Sequence, residues 1–246
     1  MRKLAVVALL LALLATTGCG PLAAKHQTLT VFAAASLTDT FTELGKEFEA
    51  EHDGVTVRFS FGGSSDLVSQ VQGGAPADVL ASADTTTMAK LGDTAADPQD
   101  FASNTLEIAV PPGNPAGIAS LTDLARPGVK LVTCAAEVPC GAATQKVATT
   151  AHLTLKPVSE EQSVTDVLGK VESGEADAGL VYVTDVKAAG DKVEGVPFPE
   201  SSSAVNVYPI AALSDSKHRL LATEFVQFVL GGRGRQVLAA AGFAAP

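Results

Sequence analysis

The chain of 246 residues has no tryptophan, two tyrosines, two methionines and three cysteines, and aromatic residues make up only 5% of it. Hydrophobic residues still reach 46%, so a core of ordinary size must be built from closely packed alanine, valine and leucine. Positive charge is scarce as well, with 17 Lys and Arg against 27 Asp and Glu for a net charge of −10. That argues against a nucleic-acid partner, because a phosphate backbone demands a basic surface. The four histidines are scattered, and there is no H-E-x-x-H, no G-x-S-x-G elbow and no Cys/His set at metal spacing. A secreted hydrolase is the rival from a different functional class, and nothing in these patterns favours it.

Apolar runs are short too. The longest, Leu4 to Ala15, falls below the roughly 20 residues a helix needs to cross a bilayer. It follows Arg2 and Lys3 and ends in Thr16-Thr17-Gly18-Cys19, the pattern of a secretory signal over residues 1–18. The small residues before Cys19 resemble a bacterial lipobox, in which the cysteine is acylated and becomes the new N-terminus. Thr16 stands where a lipobox usually has leucine, so cleavage without a lipid is the alternative. The expectation is an exported chain, lipid-anchored to the outer face of the cell membrane, with residues 19–27 as a tether. Losing the signal removes Arg2 and Lys3 and no acidic residue, so the mature charge moves to about −12. What remains is long enough for one large domain or two lobes of about 100 residues each.

Cys134 and Cys140 are the other two cysteines. Export places them in an oxidising compartment, where two thiols separated by a short loop are expected to pair as a disulfide.

Along the chain, strand-like and helix-like patterns alternate. Leu29–Ala34 reads as a strand and Leu37–Glu51 as a helix, with Phe41, Leu44 and Phe48 at helical spacing. Val55–Phe61 then alternates as a strand, a helix follows over Leu67–Gln72 with Ser64, Ser65 and Asp66 as candidate caps, and Ala77–Ser82 is again a strand, with Asp84 capping Thr85–Leu91. Another strand, Leu106–Pro111, ends at the Pro-Pro-Gly-Asn-Pro stretch. Beyond it the same alternation recurs: strands at Lys130–Thr133 and Ala178–Val183, helices at Ala142–His152 and Val164–Glu172. Val205–Leu213 returns the chain to the first unit, and helices over His218–Leu230 and Arg233–Ala241 close it. The architecture is α/β, two lobes joined by two crossings, with residues 28–105 and 207–246 in lobe 1 and residues 106–206 in lobe 2.

Two turns share one design, a strand ending in small residues followed by serine: Ala33-Ala34-Ala35-Ser36 and Phe61-Gly62-Gly63-Ser64-Ser65. Helix N-termini leave backbone N–H groups unpaired and carry partial positive charge, and small residues let an anion approach them. Taken singly, each serine is more simply a helix cap, and Asp66 a carboxylate favoured by a helix N-terminus.

These turns form part of a longer series. Val31-Phe32-Ala33-Ala34-Ala35-Ser36-Leu37, Gly74-Ala75-Pro76-Ala77-Asp78-Val79, Ser82-Ala83-Asp84, Val138-Pro139-Cys140-Gly141, Ser163-Val164, Ala178-Gly179-Leu180-Val181-Tyr182 and Gly242-Phe243 together resemble the periplasmic molybdate-binding proteins. The resemblance implies a two-lobed type II periplasmic-binding-protein fold with the ligand in the cleft. It implies a monomeric receptor without cofactor or catalysis, which delivers molybdate or tungstate to the membrane permease of an ABC importer; a sulfate- or phosphate-type receptor is the alternative within the class. It assigns hydroxyl donors to Ser36 and Ser64, backbone amide donors to Cys140 and Val164, and a phenol donor to Tyr182, with the metal bound only as its oxyanion. Cys140 departs from the family, which usually has alanine there.

Overall fold

The structure, a computed structural model, describes residues 26–246. The signal segment, Cys19 and the tether up to residue 25 lie outside the described residues.

The first half of the chain runs β1 (Gln27–Ala34), α1 (Thr38–Glu51), β2 (Val55–Gly62), α2 (Ser64–Gln72), β3 (Val79–Ala81), α3 (Thr85–Ala89) and β4 (Ala95–Asn104). It continues through β5 (Leu106–Val110), β6 (Leu131–Cys134), α4 (Pro139–Thr150), β7 (Ser159–Glu161), α5 (Val164–Glu172), β8 (Ala178–Tyr182), α6 (Val183–Ala189) and β9 (Glu194–Val196). Strand β10 (Asn206–Leu213) and helices α7 (Arg219–Leu230) and α8 (Gly232–Ala241) complete it.

These strands form two five-stranded sheets, ordered β2-β1-β3-β10-β4 and β7-β6-β8-β5-β9. In each, three strands run parallel and one strand pairs antiparallel to both its neighbours: β10 in the first sheet and β5 in the second. Those two are the strands that enter a lobe directly after a crossing from the other. The parallel strands carry their helices on both faces, so β1 is buried on both, Leu29, Val31 and Ala33 toward one side and Phe32 toward the other. In α1, Phe41, Leu44 and Phe48 recur at helical spacing and are fully buried.

Several boundaries differ from the sequence expectation. β4 was not foreseen: its first half is polar and holds Pro98, which an edge strand tolerates and a central strand does not. The three-residue β7 and β9 and the short α6 carry too little periodicity to read. α2 starts at Ser64 and α4 at Pro139, each three residues before the expected start, the latter because proline suits a first helical turn. Gln27, assigned to the tether, opens β1, and Asn206, assigned to lobe 2, opens β10. Cys134 and Cys140 form a disulfide that ties the end of β6 to the first turn of α4.

Candidate oxyanion site between the lobes

The parallel strands of both sheets point their C-terminal ends at each other, and the turns that follow them meet across a narrow cleft. A cavity of about 20 Å³ lies there. Ser36 reaches it from the turn after β1, Ser64 from α2 after β2, Cys140 from α4 after β6, Val164 from α5 after β7, and Tyr182 from the end of β8. All five positions singled out in the sequence therefore line one cavity, together with Ala83, Gly63 and Gln162. Its lining contains no charged side chain. Asp66, the carboxylate at the N-terminus of α2, is exposed and lies outside it.

Neither serine caps a helix. The cap residue before Ser36 is Ala34 and that before Ser64 is Gly63, and no side chain caps either turn. The Ala83 N–H donates to Ser64 Oγ at 3.0 Å, and Ala83 is held in turn by the Asn206 side-chain amide, which donates to the Ala83 carbonyl at 2.9 Å. The oxygen of Ser64 is thus engaged as an acceptor, and its own proton is left for the cavity. Ser36 Oγ lies 3.1 Å from the phenol oxygen of Tyr208, a fully buried residue of β10. Cys140 and Val164 each sit in the first turn of a helix, where backbone N–H groups have no partner within the helix. Ser163 does act as a cap, accepting from the Asp166 N–H, and it lines the cavity beside Val164.

Tyr182 is 1% exposed, and its hydroxyl has no hydrogen-bond partner among the described residues. Leaving such a group unpaired costs about 1–3 kcal/mol. Burial pushes the phenol pKa of Tyr182 and of Tyr208 well above the ordinary value, so both stay protonated donors. The backbone N–H of Tyr182 donates to the buried carboxylate of Asp185 at 2.8 Å, which fixes the strand-to-helix junction carrying the phenol.

The lobes touch at the cavity. A Cβ on Gly63 would lie 2.0 Å from the Gln162 carbonyl oxygen, so only glycine lets the two backbones approach this closely. Beside it, Ser65 Oγ donates to the Glu137 carbonyl at 2.6 Å, and farther out Lys187 Nζ donates to the Ala240 carbonyl at 2.7 Å. A larger interlobe cavity, about 480 Å³, shares Ala35 and Ser36 with the small one, but its wall mixes Asp39, Glu172 and Asp185 with Lys187 and Lys192. The small cavity is different: its wall is uncharged and sets the Ser36, Ser64 and Tyr182 hydroxyls among Gln162, Ser163 and small apolar residues, around a space far below the roughly 300 Å³ at which pockets for organic ligands begin. No group of His, Cys, Asp or Glu among the described residues is placed to hold a bare metal ion.

Residues 29–244 match the model of a family described as bacterial extracellular solute-binding protein. A molybdate-binding protein, ModA, of Mycobacterium tuberculosis is 49% identical over 223 residues, covering 89% of this chain and 85% of that protein. The chain belongs to the molybdate-binding family of bacterial extracellular solute-binding proteins. Within that family's reach, a putative ABC transporter substrate-binding lipoprotein, YvgL, of Bacillus subtilis is 32% identical over 229 residues, covering 90% of this chain and 88% of that protein. The periplasmic molybdate-binding protein of Azotobacter vinelandii shares the fold with a TM-score of 0.77 at 24% identity, over 89% of this chain and 99% of that one. The two-lobed binding-protein fold expected from the sequence is thereby established, and the family is one of solute-binding transport proteins rather than enzymes.

Tyr208 and Asn206 escaped the sequence analysis. Both lie in β10, which reads as an apolar returning strand, and the available signal was two hydrogen-bonding side chains in such a run, Asn206 and Tyr208, each pointing where a hydrophobic residue was expected.

Proposed function

We propose that this chain captures a tetrahedral oxyanion of the molybdate or tungstate type between its lobes and presents it to the membrane permease of an ABC importer. The observation that carries this is an uncharged cavity with hydroxyl protons to give: Ser64 has its oxygen engaged by the Ala83 N–H, and the Tyr182 hydroxyl is buried without a protein partner. Such groups need acceptors, and a fully deprotonated oxyanion offers nothing else. Hydrogen bonds to a charged acceptor are about twice as strong as neutral ones, so a few converging donors outweigh the repulsion from a mature chain of net charge about −12. No resident cofactor is required, and the chain works as a monomer that closes around its cargo and changes nothing in it. Neither cavity that Ser36 lines contains a histidine, which leaves the serines without the base that a hydrolase needs.

The export and anchoring of the chain belong to the same proposal. The segment Thr16-Thr17-Gly18-Cys19 supports acylation at Cys19, and the lipoprotein of Bacillus subtilis is a relative over most of its length. No helix among the described residues is long and apolar enough to cross a membrane.

Calorimetric titration of the ligand-stripped mature chain with molybdate, tungstate, sulfate and phosphate, at one pH and one ionic strength, tests the assignment. One molybdate or tungstate per chain, bound far more tightly than sulfate or phosphate, is the expected result. Tighter binding of sulfate or phosphate would replace the ligand and keep the receptor, whereas no binding of any of the four would end the proposal.

A further inference from the structure

The two serines of the site are engaged in parallel ways by the protein. Ser64 Oγ accepts from a backbone N–H, which can only donate, so its direction is settled. Ser36 Oγ meets a hydroxyl at 3.1 Å, and either oxygen has a proton to give. A phenol oxygen is a poorer acceptor than that of an alkyl hydroxyl, because a lone pair is delocalised into the ring. The favoured arrangement has Tyr208 donating and Ser36 accepting. Tyr208 is fully buried, wedged edge-on among the rings of Phe101, Phe243 and Tyr182; Asn104 and the Tyr182 hydroxyl are its other polar neighbours, and Ser36 Oγ is the one within hydrogen-bond geometry.

We infer that Tyr208, which does not line the anion cavity, is a specificity-determining residue: its hydrogen bond to Ser36 commits the serine proton to the bound ion and thereby selects against oxyanions that carry a proton of their own. Without that bond, Ser36 is free to rotate and accept, and a protonated oxyanion such as hydrogen phosphate finds the acceptor it lacks in the native site. This rests on the oxyanion-receptor reading and deepens it, by assigning the discrimination to one buried phenol rather than to the groups that touch the ion. Size plays no part in the effect, because Tyr208→Phe removes a single oxygen outside the cavity wall.

The test is calorimetric titration of the wild-type chain, Tyr208→Phe, Ser36→Ala and the double variant with molybdate, sulfate and phosphate at neutral pH. Sulfate is the control, being as free of protons as molybdate but smaller. In Tyr208→Phe, molybdate and sulfate should weaken together by about tenfold while phosphate does not, so that the preference for molybdate over phosphate falls by about the same factor. In the Ser36→Ala background the second substitution should change neither. An unchanged molybdate-to-phosphate ratio in Tyr208→Phe, or an equal loss with and without Ser36, would overturn the inference. If Tyr208→Phe does not fold, a monofluorinated tyrosine at position 208, a stronger donor of nearly the same shape, must raise the ratio, and a fall would count against the idea. Should the wild type bind no tetrahedral dianion at all, the receptor reading fails and this falls with it; selective wild-type binding with an unaltered ratio in the variant defeats the role of Tyr208 alone.

Discussion

The two lobes are built on one strand order and filled with different material. Nine of the ten phenylalanines belong to the first lobe, where Phe41, Phe48, Phe59 and Phe225 pack ring against ring, while the second lobe holds Phe198 alone and fills its core with valine, leucine and alanine. The second lobe is also the one closed by a disulfide. Aromatic pairs add specific edge-to-face attraction to area burial, and an aliphatic core of short side chains has less of it. The covalent link in the second lobe therefore sits where packing has fewer large side chains to hold the site's loop. The same asymmetry reaches the proposed site: the first lobe lines the cavity with the hydroxyls of Ser36 and Ser64, and the second with the phenol of Tyr182 and with Cys140 and Val164, to which the resemblance assigns backbone amide roles. A site made of main-chain donors is only as well placed as the backbone that carries it.

The largest expected effect probes the aromatic lobe. Phe41→Ala removes a fully buried ring that contacts three others and should lower unfolding free energy by about 3–5 kcal/mol, measured by denaturant titration. Next comes the one buried carboxylate of the second lobe. In the first lobe, the buried Asp78 accepts from the Thr30 N–H at 2.8 Å and the Ser216 hydroxyl at 2.6 Å, whereas Asp185 has the Tyr182 N–H and no ion-pair partner. Burial raises the Asp185 pKa from 3.8 to about 7. The folded chain then keeps a proton up to about pH 7 that the unfolded chain releases near pH 4. This group favours the fold most below about pH 4, and that contribution is lost as pH rises to about 7. Asp185→Asn keeps an acceptor for Tyr182 and should flatten this slope, leaving the variant more stable than the parent at pH 8 by on the order of 3 kcal/mol. Equal pH dependence of denaturation in both proteins would refute it.

Cutting the staple comes third. Replacing Cys134 and Cys140 together by alanine should cost about 2–3 kcal/mol of stability, as for a short closed loop, and should also weaken oxyanion binding, because the first turn of α4 carries the Cys140 amide. Loss of stability with intact affinity would show that α4 keeps its place without the link. The smallest effects compare the two kinds of donor. Ser36→Ala and Ser64→Ala should each weaken binding by about 1.5–3 kcal/mol. Tyr182→Phe should also weaken binding, yet raise the stability of the ligand-free fold by about 1 kcal/mol, since it deletes a buried hydroxyl that has no protein partner. A thermal midpoint that falls in Tyr182→Phe would contradict this opposition of signs.

How much of this was readable beforehand differs between the lobes in the same way. The serine turns of the first lobe announce themselves through small residues followed by a hydroxyl, although the structure removes the simpler explanation, because Gly63 and Ala34 occupy the cap positions. In the second lobe, Val164 lines the cavity, and the amide role proposed for it leaves no mark on its side chain, so only resemblance to a family singled it out. The central strands were legible because they are continuous apolar runs, and β4 was not, because an edge strand has solvent on one side and admits Asp97, Pro98 and Asp100. Tyr208 and Asn206 went unread for a tertiary reason: their partners, Ser36 and Ala83, lie more than 120 residues away in the chain, and no local pattern links them.

The close approach of Gly63 to Gln162 has a kinetic meaning. With backbone against backbone at that point and the cavity at about 20 Å³, the lobes have to move apart there to make room for the passage of an ion of four oxygens. Its residence time is then the waiting time for the lobes to part. Substitutions at the crossings between β4 and β5 or before β10 would set how long cargo is held, while those in the cavity set how firmly, and the two can be tuned apart.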